Sequence, residues 1–264
     1  MINFYKYQGA GNDFIIIDNR NKNFVADKTT VEKFCDRKFG IGADGLISIE
    51  STKNADFEML YYNADGGLGS MCGNGGRCAV AFAKTLNIIT NETLFKAYDG
   101  VHRATILNFD TADNDALVRL QMNDVKNLER NDDFIFMNTG SPHCVKFVDD
   151  VMHYDVVNKG REIRNNARFK AEGTNVNFVE ITTEGITVRT YERGVEDETL
   201  SCGTGVTAAA LAHGIYFNSN RDEIAVKTPG GNLSVSFKYQ DGIFTEVYLQ
   251  GRATFVYKGF IATA

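Results

Sequence analysis

Two cysteines of the 264-residue chain stand in matching surroundings: Cys72 opens Cys72-Gly73-Asn74-Gly75, and Cys202 opens Cys202-Gly203-Thr204-Gly205. Each turn leads into a run rich in small residues, Gly76 to Leu86 and Val206 to Phe217, and both runs are expected to be helical. A thiol at the head of a helix sits where unpaired backbone N–H groups and the helix dipole favour negative charge, so its pKa falls. The glycines, lacking Cβ, let those N–H groups approach an anion such as a carboxylate closely. Two such thiols on opposite sides of one carbon suit inversion of that carbon. One removes a proton from one face and the other returns a proton to the opposite face, with the roles exchanged in reverse. The α-hydrogen beside an ionised carboxylate is very weakly acidic, and two helix N-termini converging on that carboxylate would stabilise the charge that builds up. A single Cys-Gly-x-Gly reads more simply as a capping turn with an inert cysteine; the duplication favours the chemistry.

The duplication runs through the whole chain. Landmarks recur about 130 positions apart, the mark of an internal repeat. Gly11-Asn12-Asp13 before the apolar run Phe14 to Asp18 corresponds to Gly140-Ser141-Pro142-His143 before Cys144 to Asp149. Ile47 to Glu50 falls opposite Asn177 to Glu180, and Phe57 to Asn63 falls opposite Ile186 to Glu192. Lys96-Ala97-Tyr98-Asp99-Gly100 matches Lys227-Thr228-Pro229-Gly230-Gly231 as a strand entering a turn. Asn63 and Glu192 each precede a cysteine turn at similar spacing, which favours a role for both at the site.

The elements that must hold these turns are short strands and few helices. Thr29-x-x-Glu32 resembles a capping box opening a helix from Val31 to Phe39, closed by Gly40. Tyr5 to Gly9, Phe14 to Asp18, Leu46 to Glu50, Phe57 to Tyr62, Thr93 to Ala97 and Arg103 to Phe109 read as strands of a largely antiparallel sheet. The fold class is therefore α/β (α+β), with two pseudo-symmetric lobes, each a mostly antiparallel sheet wrapped around a central helix. The first lobe covers residues 1–117 and is completed by 254–264; the second covers 118–253. If a pseudo-two-fold axis relates them, the two cysteine turns face one pocket.

Composition narrows the class of partner. With 43% hydrophobic and 23% charged residues, the chain reads as a soluble globular protein, and a net charge of −6 disfavours a nucleic-acid surface. No signal-like or membrane-spanning run stands out, so a small-molecule substrate, no membrane and a cytoplasmic location are expected. Five cysteines without Cys-x-x-Cys or paired histidine spacing disfavour a disulfide framework and a structural metal. Cys35, Cys78 and Cys144, among apolar neighbours, are read as core. Gly203-x-Gly205-x-x-Ala208 loosely matches a dinucleotide fingerprint, but it follows a polar turn and has no counterpart in the first lobe.

Several segments closely resemble the diaminopimelate epimerase family: Gly11-Asn12-Asp13-Phe14, Asn63-Ala64-Asp65-Gly66, Met71 to Cys78, Tyr191-Glu192-Arg193-Gly194 and Glu198 to Gly205. The resemblance runs from Tyr7 to about Phe260. Proline racemases and hydroxyproline epimerases share the paired-cysteine logic but typically carry His where Asn74 stands. The resemblance implies interconversion of LL- and meso-2,6-diaminopimelate, towards lysine and peptidoglycan, without pyridoxal phosphate or metal. It also implies a homodimer. By position it makes Cys72 and Cys202 the acid/base pair, and Gly73, Asn74, Gly203 and Thr204 the cradle for the reacting carboxylate. Asn12, Asn63, Asn175, Glu192 and Arg193 become substrate contacts, with His143 and Glu192 orienting the reacting amine. Arg193 offers a bidentate carboxylate fork. Ser141 supports the site where the family commonly has Asn, and Gly45 stands where some members have Gln, which bears on contact with the far end of the substrate. The alternatives are a racemase for another amino acid on the same scaffold, or a thiol redox or metal-binding protein.

Overall fold

The computed structural model describes residues 1–69, 71–217 and 223–262. The chain divides into two compact units, Met1–Leu120 with Gly251–Ala264, and Gln121–Gln250.

In the first unit the order is β1 (Ile2–Gly9), β2 (Asn12–Asp18), α1 (Lys28–Cys35), β3 (Gly45–Glu50), β4 (Phe57–Asn63), α2 (Gly73–Thr85), β5 (Glu92–Ala97), β6 (Gly100–Asp110) and β7 (Asp115–Gln121). Strands β1 to β7 follow one another in the sheet. The chain's last strand, Ile243–Ile261, then lies beside β7, and its residues Thr254–Ile261 pair antiparallel with β1, so eight strands close on themselves. Closure leaves no free sheet edge. Two neighbouring pairs, β2–β3 and β4–β5, are parallel, because the crossovers that carry α1 and α2 return the chain in the same direction.

Helix α2 fills the ring. Every residue from Gly73 to Ala83 is buried, and the helix packs on β1, β2, β3, β4 and β6. Its glycines and alanines let the sheet wrap tightly, while Phe82 supplies bulk at one end against Tyr5 and Tyr7, with ring centroids 4.6 and 6.0 Å away. Burying one such phenylalanine contributes roughly 1.5–3 kcal/mol.

The second unit repeats this order: β8 (Glu129–Arg130), β9 (Ile135–Asn138), β10 (Pro142–Phe147), α3 (Val156–Arg164), β11 (Asn175–Ile181), β12 (Gly185–Glu192), β13 (Asp197–Thr199), α4 (Gly203–Tyr216), β14 (Glu223–Thr228), β15 (Gly231–Gln240) and β16 (Ile243–Ile261). The sheet runs β16, β15, β14, β12, β11, β10, β9, β8, with β13 on β12. The pairing senses match as well. β9–β10 is antiparallel like β1–β2, β10–β11 parallel like β2–β3, β11–β12 antiparallel like β3–β4, and β12–β14 parallel like β4–β5. Strand β14 shows the period-two pattern plainly, with Ile224, Val226 and Thr228 buried and Glu223, Ala225 and Lys227 exposed. Helix α4 packs on β9, β10, β11, β12, β14 and β15 and is buried along most of its length. Among the described residues no helix is long and apolar enough to cross a membrane.

Helix boundaries depart from those expected. The first helix starts at Lys28, three residues before Val31, because Asp27 and not Thr29 is its cap: the Asp27 carboxylate accepts from the Thr30 N–H at 2.9 Å. It also stops at Cys35 and does not reach Phe39. The Asp36 carboxylate accepts from the Lys38 and Phe39 N–H groups, both at 2.7 Å, and this turn diverts the backbone. Helices α2 and α4 begin three residues earlier than expected, at Gly73 and Gly203 instead of Gly76 and Val206. The cysteines themselves are therefore the N-caps.

Candidate active site

Both cysteines occupy the same local geometry. Cys72 (φ −90°, ψ 125°) and Cys202 (φ −115°, ψ 113°) are extended, and their carbonyls accept the first helical bonds, from Gly76 at 2.7 Å and Val206 at 2.8 Å. The N–H groups of the following first turns thus have no intrahelical acceptor and carry the positive end of the helix dipole. Cys72 and Cys202 are half-buried, whereas Cys35, Cys78 and Cys144 are buried. Burial pushes those three thiols up to about 11, 12 and 12, which leaves them protonated and inert.

In the first unit, a hairpin turn places Asn12 beside Cys72. Ala10 (φ 51°) and Gly11 (φ 81°) both lie in the left-handed region between the paired residues Gly9 and Asn12, as a type I′ turn requires. The Asn12 amide nitrogen donates to Asp44 Oδ2 at 2.7 Å, which turns its Oδ1 toward Cys72 Sγ at 3.6 Å and Asn74 Nδ2 at 3.5 Å. Asp44 is itself held by Arg37 at 2.6 Å, and Arg37 also binds Asp13. Burial alone would raise the Asp13 carboxyl, but bonds from Arg37 and Lys6 hold it down to about 2. Asn74 is buried in the first turn of α2, and its Oδ1 accepts from Arg77 at 2.8 Å; the same guanidinium donates to Gly73 O at 3.1 Å. Asn63 lies exposed at the end of β4, where its N–H donates to Gly67 O. Gly45 has no room for a side chain, since a Cβ there would lie 2.6 Å from both Tyr62 O and the Tyr61 ring.

In the second unit, the β9–β10 turn, with Gly140 at φ 112°, is tied to α4 by Thr139 Oγ1, which donates to Thr204 O at 2.8 Å. His143 is fully buried on β10. Its Nε2 lies 2.9 Å from Thr204 Oγ1 and its Nδ1 3.0 Å from the amide nitrogen of Asn177. Burial first and the Arg193 guanidinium second push this imidazole down to about 3, so it is neutral near pH 7. Thr204 Oγ1 in turn lies 3.4 Å from Cys202 Sγ. Gly205 makes room for this arrangement, because a Cβ there would sit 2.3 Å from Asn177 Oδ1.

The other sequence-derived residues of this unit lie on β10 to β12 and the turns beside them. Asn175 is buried, with its amide bonded to backbone at both ends: Nδ2 donates to Pro142 O at 3.0 Å and Oδ1 accepts from the Arg193 N–H at 2.9 Å. It braces the turn that carries Arg193. The Arg193 side chain is exposed and donates to Glu172 O at 3.0 Å. Glu192 accepts from Thr199 Oγ1 at 2.8 Å, and half-buried Ser141 accepts the Thr139 N–H at 3.1 Å through its carbonyl. Arg77, Asn177 and Thr190 join the site without standing in either cysteine motif's expected contacts, and the Thr190 hydroxyl donates to Asn177 Oδ1 at 3.0 Å. A signal existed for two of them. Asn177 follows Asn175 at the two-residue spacing that puts both on one face of a strand, and Arg77 interrupts a helix of small residues.

The duplicated α/β architecture is one found in solved enzymes of low sequence similarity. A PhzF-family phenazine biosynthesis protein from Bacillus anthracis superposes with a TM-score of 0.76 at 11% identity, covering 99% of each chain. A hydroxyproline epimerase from Agrobacterium vitis superposes with a TM-score of 0.70 at 12% identity, covering 98% of this chain and 91% of that one. The fold is thus shared with racemases and epimerases. Sequence narrows the class: the family model described as diaminopimelate epimerase matches residues 4–126 and again 135–256. Diaminopimelate epimerase of Flavobacterium psychrophilum is 51% identical over 96% of this chain and 98% of its own, and that of Chlorobaculum tepidum is 43% identical over the same shares. The chain belongs to the diaminopimelate epimerase family, a family of isomerases.

Proposed function

We propose that the chain interconverts LL- and meso-2,6-diaminopimelate, with Cys72 and Cys202 as its two acid/base groups. One observation carries the reading. The two half-buried cysteines cap helices at the same place in two copies of one fold, while the other three thiols are sealed in apolar surroundings.

The chemistry follows from those caps. A thiolate on one face of the α-carbon takes its proton and becomes a thiol. The electron pair left behind spreads into the adjacent carboxylate, whose growing charge is met by the first-turn N–H groups of Gly73, Asn74, Gly203 and Thr204. The second thiol then gives its proton to the opposite face and becomes a thiolate. The centre is inverted and the two sulfurs have exchanged protonation states.

Selection of the substrate rests on groups around the caps. Arg193 presents a planar fork suited to a carboxylate, Glu192 an anion suited to an ammonium group, and Asn12 and Asn63 amides that donate or accept. His143 and Ser141 support the second cysteine turn, and Asn175 acts by holding Arg193. The enzyme works as a cytoplasmic homodimer, a state that light scattering on the purified protein checks.

The deciding experiment is incubation of the reduced protein with LL-diaminopimelate in heavy water, following the meso product and α-deuterium by NMR. Deuterium should appear at the α-carbon as the meso form accumulates. A folded, reduced sample that exchanges no α-hydrogen overturns the reading. Exchange of proline or hydroxyproline in place of diaminopimelate would move the enzyme to another substrate on the same scaffold.

A further inference from the structure

The geometry points to Asn177 as a positioning residue that sets the tautomer of His143 and, through Thr204, turns a hydroxyl proton toward Cys202 Sγ. This rests on the reading of Cys202 as an acid/base group and adds how its proton affinity is set.

The direction of each bond can be worked out from one end. Thr190 Oγ1 lies 3.0 Å from Asn177 Oδ1, and a hydroxyl facing a carbonyl oxygen donates. The other end of the amide is then its NH2 group. Its neighbour Cys144 O, 3.5 Å away, agrees, because a carbonyl oxygen would repel Oδ1 in that place. That NH2 group faces His143 Nδ1 at 3.0 Å, so Nδ1 must be the nitrogen with the bare lone pair. The imidazole is neutral, as its full burial and the nearby Arg193 require. Its single proton therefore sits on Nε2 and is donated to Thr204 Oγ1 at 2.9 Å. With a lone pair of Thr204 Oγ1 engaged by His143, the hydroxyl proton is left to Cys202 Sγ at 3.4 Å.

A sulfur that receives a hydrogen bond is favoured as thiolate. Four donors thus point one way, Thr190 to Asn177, Asn177 to His143, His143 to Thr204 and Thr204 to Cys202, and their effect is to lower the titration of Cys202. Asn177 is the member that decides the sense. Reversing its amide would place the imidazole proton on Nδ1, make Nε2 an acceptor, and turn the Thr204 hydroxyl away from the sulfur. Gly205 is the steric condition for this, since any side chain there would displace the Asn177 amide. No other member of the chain titrates between pH 5 and 9. Asn177, Thr190 and Thr204 carry no ionisable group, and the neighbouring Cys144 thiol is pushed up to about 12.

Two measurements test this without relying on turnover, so failure of the proposed reaction and failure of this device are told apart. The first is 15N NMR of histidine-labelled wild-type protein, with the His143 signals assigned by their loss in His143→Gln. A protonated Nε2 and bare Nδ1 are expected throughout pH 5 to 9; a protonated Nδ1 or an imidazolium overturns the proposal. The second is the pH dependence of iodoacetamide alkylation at Cys202, read by mass spectrometry of its peptide. Asn177→Leu and Thr204→Val should raise the midpoint by about one unit, roughly a tenfold loss of thiolate at pH 7, and Thr204→Ser should restore it. An unchanged midpoint in Thr204→Val, or an equal shift in Thr204→Ser, overturns it. Should Asn177→Leu not fold, the wild-type tautomer and the two Thr204 variants still decide.

Discussion

The two cysteine turns share a backbone and differ in what faces the sulfur. Cys72 looks at a carbonyl oxygen, Asn12 Oδ1, whose orientation is imposed by Asp44; Cys202 looks at the hydroxyl of Thr204, whose orientation is imposed by His143. One turn on, the carbonyl of the first helical residue is met by a cation in one unit, Arg77 to Gly73 O at 3.1 Å, and by a neutral hydroxyl in the other, Thr207 to Gly203 O at 2.9 Å. The difference teaches that duplication kept the caps and let the polar neighbours diverge. A two-base reaction needs a proton on one sulfur and not on the other, and an acceptor beside one thiol with a donor beside the other biases which is which.

If the two turns are equal partners in the chemistry, Cys72→Ala and Cys202→Ala should each lower epimerisation by at least about a hundredfold, because each leaves one face of the α-carbon without a proton carrier. Conversion of LL- to meso-diaminopimelate followed by NMR checks this, and full turnover by either variant breaks the comparison. Next in size is the contrast beneath the caps. Arg77→Met should destabilise the fold by about 2–3 kcal/mol, since it removes two buried hydrogen bonds from a charged guanidinium, to Gly73 O and Asn74 Oδ1, whereas Thr207→Val at the equivalent position loses one neutral bond and should cost about 1 kcal/mol. Urea denaturation of both variants reads the difference, and equal losses would mean that the cation has no special part.

The pH response separates the units again. His143 is held down to about 3 in the folded protein against an ordinary value near 6.5, so above pH 6.5 it is neutral in both states and contributes no pH dependence. As pH falls, the unfolded chain takes up the proton first, and stability drops by about 1.4 kcal/mol per pH unit until the folded value is reached. Between pH 6.5 and 5 this amounts to about 2 kcal/mol, and His143→Gln should remove that slope in urea titrations whatever its effect at pH 7. The smallest contrast is steric. Gly205→Ala, whose Cβ would meet Asn177 Oδ1 at 2.3 Å, should destabilise by about 1–2 kcal/mol, and Gly75→Ala, whose nearest neighbour is the methyl end of Ile47 at 3.2 Å, by less. Thermal melts of the pair rank them.

Legibility in the sequence followed the range of the interactions. Strands such as Phe14 to Asp18 and Phe57 to Tyr62 were readable because their residues are short-range and apolar, and they fall inside β2 and β4. Helices α2 and α4 start three residues before the expected positions, because Gly73, Asn74 and Gly203 are poor helix formers that become helical only when the sheet buries them. The cap of α1 is Asp27 and not the expected Thr29 two residues on, because its carboxylate reaches the Thr30 N–H.

By itself the amino-acid sequence determined that the chain is two copies of one α/β plan, that each copy carries a cysteine before Gly-x-Gly, and that the whole resembles one family. These are properties of residue type and spacing along the chain. The burial of Cys35, Cys78 and Cys144 agrees with their apolar neighbours in sequence, whereas only the tertiary structure decided what each remaining sulfur faces. Asn12 reaches Cys72 across 60 positions, and His143 reaches Thr204 across 61. Contacts of that separation depend on strand register and on a glycine leaving space, and no local pattern encodes them.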